Sequence, residues 1–381
     1  IILLEETPYR PRITDSRIAI FPVQITDYSA KEQKTKNIYY AYRWRLEPSD
    51  MEAYKRGEKV EPKKPIVFYI DNNFPEKWRK YIKEGVNQWN ELFSEIGFKN
   101  AIKAVDFPEN DPEFDPDNIK YSCIRYAPIA IENAMGPSWV DPRSGEILVG
   151  EVMWYHNVIS LVHNWRFSQT GAVDARVRKM IFDDDVMNES LRYVASHEIG
   201  HTLGLMHNMG ASYSFPVDSL RSPSFTQKYG TTPSIMDYAR NNYVAQRGDF
   251  EKGVRMVPPL MGVYDMHAIN WGYRIFKDAK TAEDEYPYLN KIITDKKGDP
   301  MYEFGAQQLF LNEDPTDQTE DLGNDHIKAS NYGIENLKYI ISNIDKWFAQ
   351  ENKNYDDIQE MYLACVSQYM RYLTHVMPYL G

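Results

Sequence analysis

The chain has 381 residues, of which 43% are hydrophobic and 14% aromatic. This length and composition predict a packed globular protein with two or three folding units and exclude an intrinsically disordered chain. The net charge of −11 argues against a nucleic-acid-binding protein and against binding to an anionic membrane surface. No apolar run approaches the roughly 18–20 residues that span a bilayer.

Two cysteines are present, Cys123 and Cys365. Both stand in apolar surroundings and outside any Cys-x-x-Cys or zinc-finger spacing, so we expect buried free thiols, with a disulfide between them as the alternative. The chain starts at Ile1 without a methionine, and no signal peptide is visible. We interpret this start as that of a processed or truncated chain.

Residues 1–60 form a lead-in segment with two runs rich in aromatic and β-branched residues, at 17–23 and 37–46. These runs predict two strands. Because only a charged, Lys-rich connector separates them, we expect a β-hairpin that leans on the domain that follows. A charged, Pro-bearing stretch at 58–65 marks the boundary with that domain.

The next part of the chain alternates between strand and helix patterns. A short apolar run at 66–70 predicts a buried strand, and apolar residues spaced by three or four over 78–96 predict a long amphipathic helix. Strands are predicted at 101–107 and 119–126. The Asp- and Pro-rich loop between these two strands is either a calcium site or a solvated acidic loop.

A hairpin is predicted around the turn at 141–145, whose Asp-Pro-x-Ser-Gly sequence suits a tight turn. Its arms are residues 134–140 and 146–154. Pro137 lies inside the first arm and cannot donate to a strand ladder, so we expect this arm at the edge of the sheet. The nearby His156 and His163 have no partner that would make a metal site, and we interpret them as structural.

The strongest functional signal is the extended motif that runs from His197 to His207. On a helix, His197 and His201 lie about 40° apart and one turn apart, so both imidazoles can bind one metal ion. Gly204 predicts a left-handed helix end, after which the chain can turn and bring His207 back as a third ligand. Three protein ligands with one open position are typical of catalytic zinc, whereas structural zinc has four.

Glu198 is expected beside the metal, about 100° around the helix from His197, where a base can act on water. An HExxH sequence alone arises by chance, but the added Gly and third His at fixed offsets lower chance agreement by about a thousandfold. Apolar residues cover most of this helix, which predicts that it is buried. Gly200 is small enough to allow a close contact.

The C-terminal part has mainly helical patterns. Residues 264–273 predict a helix that ends near Gly272, with His267 packed inside, and residues 277–326 are charged and irregular. Two amphipathic helices are predicted at 337–348 and 358–372, together a helical cap.

A second motif, Ser-x-Met-x-Tyr at residues 234–238, follows the histidines. With both motifs the chain resembles the metzincin zinc endopeptidases. The resemblance implies that Met236 lies in a tight turn below the metal as a hydrophobic floor. It also implies that Tyr238 reaches the zinc or the transition-state oxyanion, as in some branches. Asn208 departs from better-known metzincins, which often carry an acidic residue or Ser there, so subfamily rules for substrates do not transfer.

Further pieces are similar to a poorly characterised family of bacterial zinc-dependent metalloproteases, so the resemblance covers nearly the whole chain. These pieces are residues 17–21, 141–147, 234–240, 321–325 and 332–334. Members of that family tend to be exported, which is the only basis for expecting an extracellular, periplasmic or cell-surface protein.

The implied fold is α+β and zincin-like. It comprises a twisted, mostly parallel sheet with an antiparallel edge strand, a long helix and a zinc helix. We expect this catalytic domain over residues 61–253 and a mainly helical region over 254–381. Metzincins bind extended peptide along an edge strand, which makes the first hairpin arm the candidate for substrate binding; a plain covered edge is the alternative. Its candidate contacts are Met135, Gly136, Ser138 and Trp139.

These inferences predict a zinc-dependent endopeptidase that acts on proteins or peptides. His197, His201 and His207 hold one Zn²⁺, and Glu198 is the general base and acid. Tyr238 donates to the oxyanion. One alternative is a catalytically silent zinc fold used for binding or adhesion, against which the intact Glu198 argues. Another is a hydrolase of small peptides or other amides.

Overall fold

The computed structural model describes residues 4–29, 33–309, 313–349 and 354–380. Its strands are β1 (Pro22–Asp27), β2 (Lys36–Ala41), β3 (Ile66–Ile70), β4 (Ile102–Asp106), β5 (Ser122–Ala127), β6 (Ala134–Met135), β7 (Ser138–Asp141) and β8 (Glu146–Tyr155). Its α-helices are α1 (Met51–Lys55), α2 (Glu76–Asn87), α3 (Trp89–Glu95), α4 (Val158–Thr170), α5 (Asp184–Thr202), α6 (Pro223–Tyr229), α7 (Val263–Tyr273), α8 (Ala282–Thr294), α9 (His326–Ile341), α10 (Ile344–Phe348) and α11 (Asp356–Val376).

The lead-in segment contains the expected hairpin. β1 and β2 pair antiparallel, from Pro22 opposite Ala41 to Asp27 opposite Lys36. The first strand starts five residues later than its apolar run, because residues 18–20 are buried in the core instead. Ile20 forms a single antiparallel bridge with Leu205. The lead-in segment is therefore attached to the chain that follows α5.

The main sheet has the strand order β4-β3-β5-β8-β6, and β7 also pairs with β8. β3, β4, β5 and β8 run parallel to one another, whereas β6 and β7 run antiparallel to β8. The mostly parallel sheet with an antiparallel edge is thus confirmed. The first hairpin arm is divided into β6 and β7 at Gly136 and Pro137, which fits the missing N–H of proline.

The predicted long helix is two helices, α2 and α3, which meet at Gln88. Their buried aromatic residues are Trp78, Trp89 and Phe93. Directly after the break, the indole N–H of Trp89 donates to the carbonyl of Ser196 on α5, at 3.1 Å. The break therefore places a buried Trp against the helix that carries the metal motif.

Two hydrophobic clusters fill the interior. The first joins the lead-in segment, the sheet, α2, α3, α5 and α7, and includes Leu289 on α8. The second joins α4, α9, α10 and α11 with Phe215 and Tyr243, which follow the metal motif in the chain. Both clusters cross the predicted division after residue 253.

The C-terminal part differs from its sequence pattern in two places. The charged stretch after residue 277 contains α8, which starts with a capping box formed by Thr281 and Asp284. The helix predicted at 337–348 is the end of α9 followed by α10, with a break at residues 342–343. The helices predicted at 264–273 and 358–372 correspond to α7 and α11.

Cys123 and Cys365 are both buried free thiols, as predicted. Burial raises the pKa of each to about 12. Along the described ranges, no helix has the length and apolar character needed to cross a bilayer.

Candidate metal centre and cleft

The metal motif lies at the end of α5. Asp183 precedes this helix, and Asp184 and Asp185 lie in its first turn, where acidic side chains suit the helix dipole. His197 and Glu198 are buried near the other end. Buried residues occur on most sides of α5, which confirms the prediction of a buried helix.

α5 ends in the left-handed turn that the sequence predicts. Gly204 has φ +91°, a conformation in which other residues are strained. Its N–H donates to the carbonyl of His201 at 2.9 Å, and the N–H of Leu205 donates to the carbonyl of Gly200 at 3.0 Å. This is the Schellman pattern of a helix end, and it reverses the chain toward His207.

The three histidines converge. Nε2 of His207 lies 3.2 Å from Nε2 of His197 and 3.1 Å from Nε2 of His201. Tetrahedral zinc with Zn–N bonds of about 2.0–2.1 Å requires nitrogen separations of ~3.3 Å, so this donor set fits the ion. Across the described ranges, no other group of three His, Cys, Asp or Glu ligand atoms comes this close together.

The other ring nitrogen of each histidine has an oxygen acceptor. Nδ1 of His197 contacts the carbonyl of Ile235 at 2.6 Å, and Nδ1 of His201 contacts the carbonyl of Leu205 at 2.9 Å. Nδ1 of His207 contacts Oε1 of Gln307 at 2.9 Å. Because these oxygens only accept, each Nδ1 carries the proton and each Nε2 keeps its lone pair for a metal.

Burial sets the charge of this centre. It lowers the pKa of His201 to about 3, with the neighbouring His207 adding to the effect. Burial also lowers the pKa of His207, and it lowers that of His197 well below the ordinary value. All three imidazoles are therefore neutral near pH 7, the form that binds metals.

Glu198 lies beside the histidines and lines the cleft described below. Burial raises the pKa of its carboxyl group to about 8, and the positive charge of Arg240 opposes that rise. A cation next to the carboxyl group would favour its ionised form.

The turn that carries Met236 lies against α5. A methyl group on Gly200 would overlap with Sδ of Met236, which is why a glycine is needed there. Asp265 on α7 anchors this turn, because its carboxylate accepts from Oγ of Ser234 at 2.8 Å and from the N–H of Ile235 at 3.0 Å. Asp265 was not identified from the sequence.

Tyr238 also reaches the centre, with its ring centroid 4.5 Å from that of His207. The guanidinium carbon of Arg240 lies 4.3 Å from the centroid of Tyr238 and 3.3 Å from that of Trp165. Glu320 pairs with Arg240 at 3.3 Å. This stack restrains the Tyr238 ring at the cleft wall, and neither Trp165 nor Arg240 was identified from the sequence.

A cleft with a volume of about 690 Å³ opens over the histidines. Its lining residues are Phe21, Tyr42, Asn133, Ala134, Met135, Gly136, Pro137, Ser138, Glu198, His201, Met206, His207, Tyr238, Ala306, Gln307 and Leu309. Three of the four candidate substrate contacts, Met135, Gly136 and Ser138, are among them. The structure does not bring the fourth to the cleft, since Trp139 is absent from the lining and its side chain is exposed.

The edge of the sheet runs along this cleft. Gly136 approaches α5 so closely that a methyl group on it would overlap with the carbonyl oxygen of Glu198. Oγ of Ser138 is buried and has no hydrogen-bond partner within the described residues. β6 and β7 lie at the end of the strand order, so their outer backbone groups face away from β8.

The structure shows what the side chain of Asn208 contacts, which the sequence does not reveal. Its side-chain amide donates to the carbonyl of Glu303 at 3.0 Å and accepts from the N–H of Gly305 at 2.8 Å. The N–H of Met209 donates to the carbonyl of Gly305 at 2.8 Å. These bonds hold the segment that presents Gln307 to His207. No local motif marks Gln307, which lies 100 residues after its partner.

The remaining histidines and the acidic loop lie outside this cluster of ligands. Nδ1 of His156 contacts the hydroxyl of Tyr126 at 2.5 Å, and Nε2 of His163 contacts the carbonyl of Lys179 at 3.0 Å. His267 packs against the ring of Tyr302. In the part of the chain that the structure describes, the acidic loop forms no cluster of three ligands, so the calcium prediction gains no support.

Comparisons with known proteins give two matches to family models. Residues 179–381, which include the three histidines and the Met236 turn, match the model of a family described as Met-zincin. Residues 1–49 match the model of a domain of unknown function. Curated proteins and solved structures yield no match.

Proposed function

Because the chain belongs to the Met-zincin family of zinc metalloproteases, we propose that it is an endopeptidase that cleaves extended peptide at the cleft. The observation that carries this proposal is the convergence of three Nε2 atoms beside a buried glutamate in an open cleft. The donor set is that of catalytic zinc, with three protein nitrogens and no fourth His, Cys, Asp or Glu ligand among the described residues.

His197, His201 and His207 are the residues that would hold the ion. Zn²⁺ bound there supplies Lewis-acid chemistry, polarising a peptide carbonyl and making water a stronger nucleophile near neutral pH. The oxygen acceptors on the three Nδ1 atoms fix the orientation of the imidazoles.

Glu198 moves the protons. Its carboxylate accepts a proton from the attacking water and later delivers it to the leaving amine. Its position on α5 directly after His197 holds it at the cleft without making it a ligand. A binding or adhesion module has no use for a carboxylate in this place.

Tyr238 and the sheet edge orient the substrate. The Tyr238 hydroxyl donates to the oxyanion that develops on the scissile carbonyl, and Arg240 restrains its ring. The outer backbone groups of β6 and β7 bind an extended peptide as an added strand. This arrangement favours substrates that run through the cleft.

A digest of a denatured protein mixture tests the proposal. The protein is assayed as purified, after metal removal by a chelator, and after zinc is added back, and the products are sequenced. We expect cleavage of internal peptide bonds that chelation abolishes and zinc restores. If the zinc-loaded protein cuts nothing, it is a binding module; if it releases only terminal residues or cleaves only dipeptides, the endopeptidase assignment is wrong.

A further inference from the structure

The lead-in segment pairs with the turn that delivers the third histidine. The N–H of Phe21 donates to the carbonyl of Gly204 at 2.8 Å, and the N–H of Met206 donates to the carbonyl of Ala19 at 3.0 Å. The N–H of Tyr42 in turn donates to the carbonyl of Phe21 at 2.8 Å. Residues 19–21 and 42 therefore form an added layer of backbone beside the turn after α5.

This pairing places two aromatic side chains in the cleft. Phe21 and Tyr42 both line it and are only partly buried. Their ring centroids are 6.0 Å apart, and the Phe21 ring lies 6.0 Å from that of His201. An aromatic pair thus lies next to a metal ligand, where the side chains that flank the scissile bond must lie.

The rest of the lining is neutral apart from one residue. Among the described residues that line the cleft, Glu198 is the only acidic one, and none is a lysine or an arginine. Met206 and Leu309 add further apolar side chains to the lining of the cleft. A charged substrate side chain entering this part of the cleft would lose hydration without gaining a partner, whereas an apolar one would gain free energy from burial.

The geometry points to a specificity subsite formed by Phe21 and Tyr42 of the lead-in segment, which accepts a bulky apolar side chain of the substrate next to the scissile bond. The inference rests on the proposed endopeptidase function and adds a substrate class to it. It also gives a role to residues that match only a domain of unknown function. The lead-in segment is then part of the substrate-binding surface.

A library of internally quenched peptides tests the subsite. The residues on both sides of the cleaved bond are varied, and kcat/KM is measured for the zinc-loaded wild type, Phe21→Ala and Tyr42→Ala. We expect the wild type to prefer Phe, Leu or Met over Ala, Lys and Asp at one flanking position. Each variant should lower that preference at least about tenfold, because the loss of kcat/KM falls mainly on the Phe, Leu and Met peptides.

The controls separate the subsite from a folding defect and from the proposed function itself. Tyr39→Ala removes an exposed aromatic side chain of the same segment that does not line the cleft, and should keep the preference. Phe21→Leu keeps an apolar side chain and should retain most of the preference for Phe, Leu or Met. This variant remains informative if Phe21→Ala does not fold. Unchanged preference in folded, zinc-loaded Phe21→Ala and Tyr42→Ala overturns the subsite while leaving the endopeptidase intact. Failure of the wild type to cleave any library peptide contradicts the proposed function instead.

Discussion

At the scale of single residues, the third histidine depends on side chains that are remote in the sequence. Gln307 fixes the proton of His207, and Asn208 fixes the backbone from which Gln307 extends. Partners of this kind set the basicity and the orientation of a metal ligand. The histidine spacing alone predicts three ligands, but the acceptor that orients the third cannot be inferred, because it comes from a distant loop without a pattern.

Replacing Gln307 tests this support. Gln307→Leu removes the acceptor for His207 Nδ1, and we expect zinc affinity to fall about 10–100-fold. Gln307→Glu keeps an oxygen in that place and should retain most of the affinity. Competition with a chromophoric chelator measures both. Equal zinc affinities of the two variants would show that the acceptor on Gln307 does not support zinc binding by His207.

Glu198→Gln tests the proposed proton transfer separately from zinc binding. The amide is nearly the same size as the carboxyl group but cannot accept the water's proton, so kcat should fall about 10²–10⁴-fold. Zinc content should stay at one ion per chain, because no ligand is changed. The matched control is Glu91→Gln, an exposed glutamate on α3, which should keep full turnover. Full activity in Glu198→Gln would show that another group moves the proton.

Among the secondary-structure elements, the edge of the sheet and α5 are in close contact. Gly136 lies against the carbonyl of Glu198, so the distance between the edge strand and Glu198 depends on a residue without a side chain. The sequence predicts the hairpin and its edge position from Pro137 and the turn residues. It does not predict the close contact of Gly136 with α5, because that helix is distant in the sequence.

Gly136→Ala should therefore impair catalysis more than metal binding. The new methyl group cannot fit unless the strand moves away from α5, which would shift bound peptide away from Glu198. We expect kcat/KM to fall at least about tenfold, since small misplacements of reacting groups are costly. Zinc affinity should remain within about twofold of the wild type. Trp139→Ala, which removes an exposed side chain from the same edge, serves as the control. Equal kcat/KM values for the two variants would show that the contact of Gly136 with α5 does not matter for catalysis.

The helices show where sequence patterns succeed and where they do not. α5 and its end at Gly204 follow from the apolar pattern and a single glycine, which are local signals. α8 was missed because it lies in a charged stretch and contains Pro287, although its capping box is local. Its buried face includes Glu285, a charged residue that a hydrophobic pattern counts as exposed.

At the scale of the whole molecule, an ion pair joins the lead-in segment to α8. Nε of Arg12 lies 2.8 Å from Oε2 of Glu285, and both side chains are fully buried. Arg10 forms a further ion pair with Glu285 at 2.6 Å. Burial acts to raise the pKa of Glu285, but the hydrogen bond and charge of Arg12 outweigh it, so the pKa lies below its ordinary value. Contacts of this kind pair residues about 270 positions apart and have no sequence signature.

Glu285→Gln should destabilise the protein by about 3–5 kcal/mol at pH 7, because it leaves the Arg12 charge buried without its partner. Asp295→Asn, which breaks an exposed pair with Lys291, should cost about 1 kcal/mol or less. Urea unfolding measures both.

The effect of Glu285 should depend on pH with a defined sign. Since the pKa of Glu285 is depressed in the folded state, its contribution is present above its unfolded value of about 4.3 and is lost as pH falls through the lower folded value. The difference between the wild type and Glu285→Gln should therefore shrink below about pH 4. A constant difference down to pH 3 would show that the ion pair does not account for the stability.

The proposed function requires that three imidazoles, and no other protein side chain, hold one zinc ion. X-ray absorption spectroscopy of the zinc-loaded protein tests it most directly. We expect three imidazole nitrogens at about 2.0–2.1 Å, with the remaining position taken by a light atom of solvent. A spectrum with sulfur in the coordination shell, or with two or four imidazoles, would contradict it.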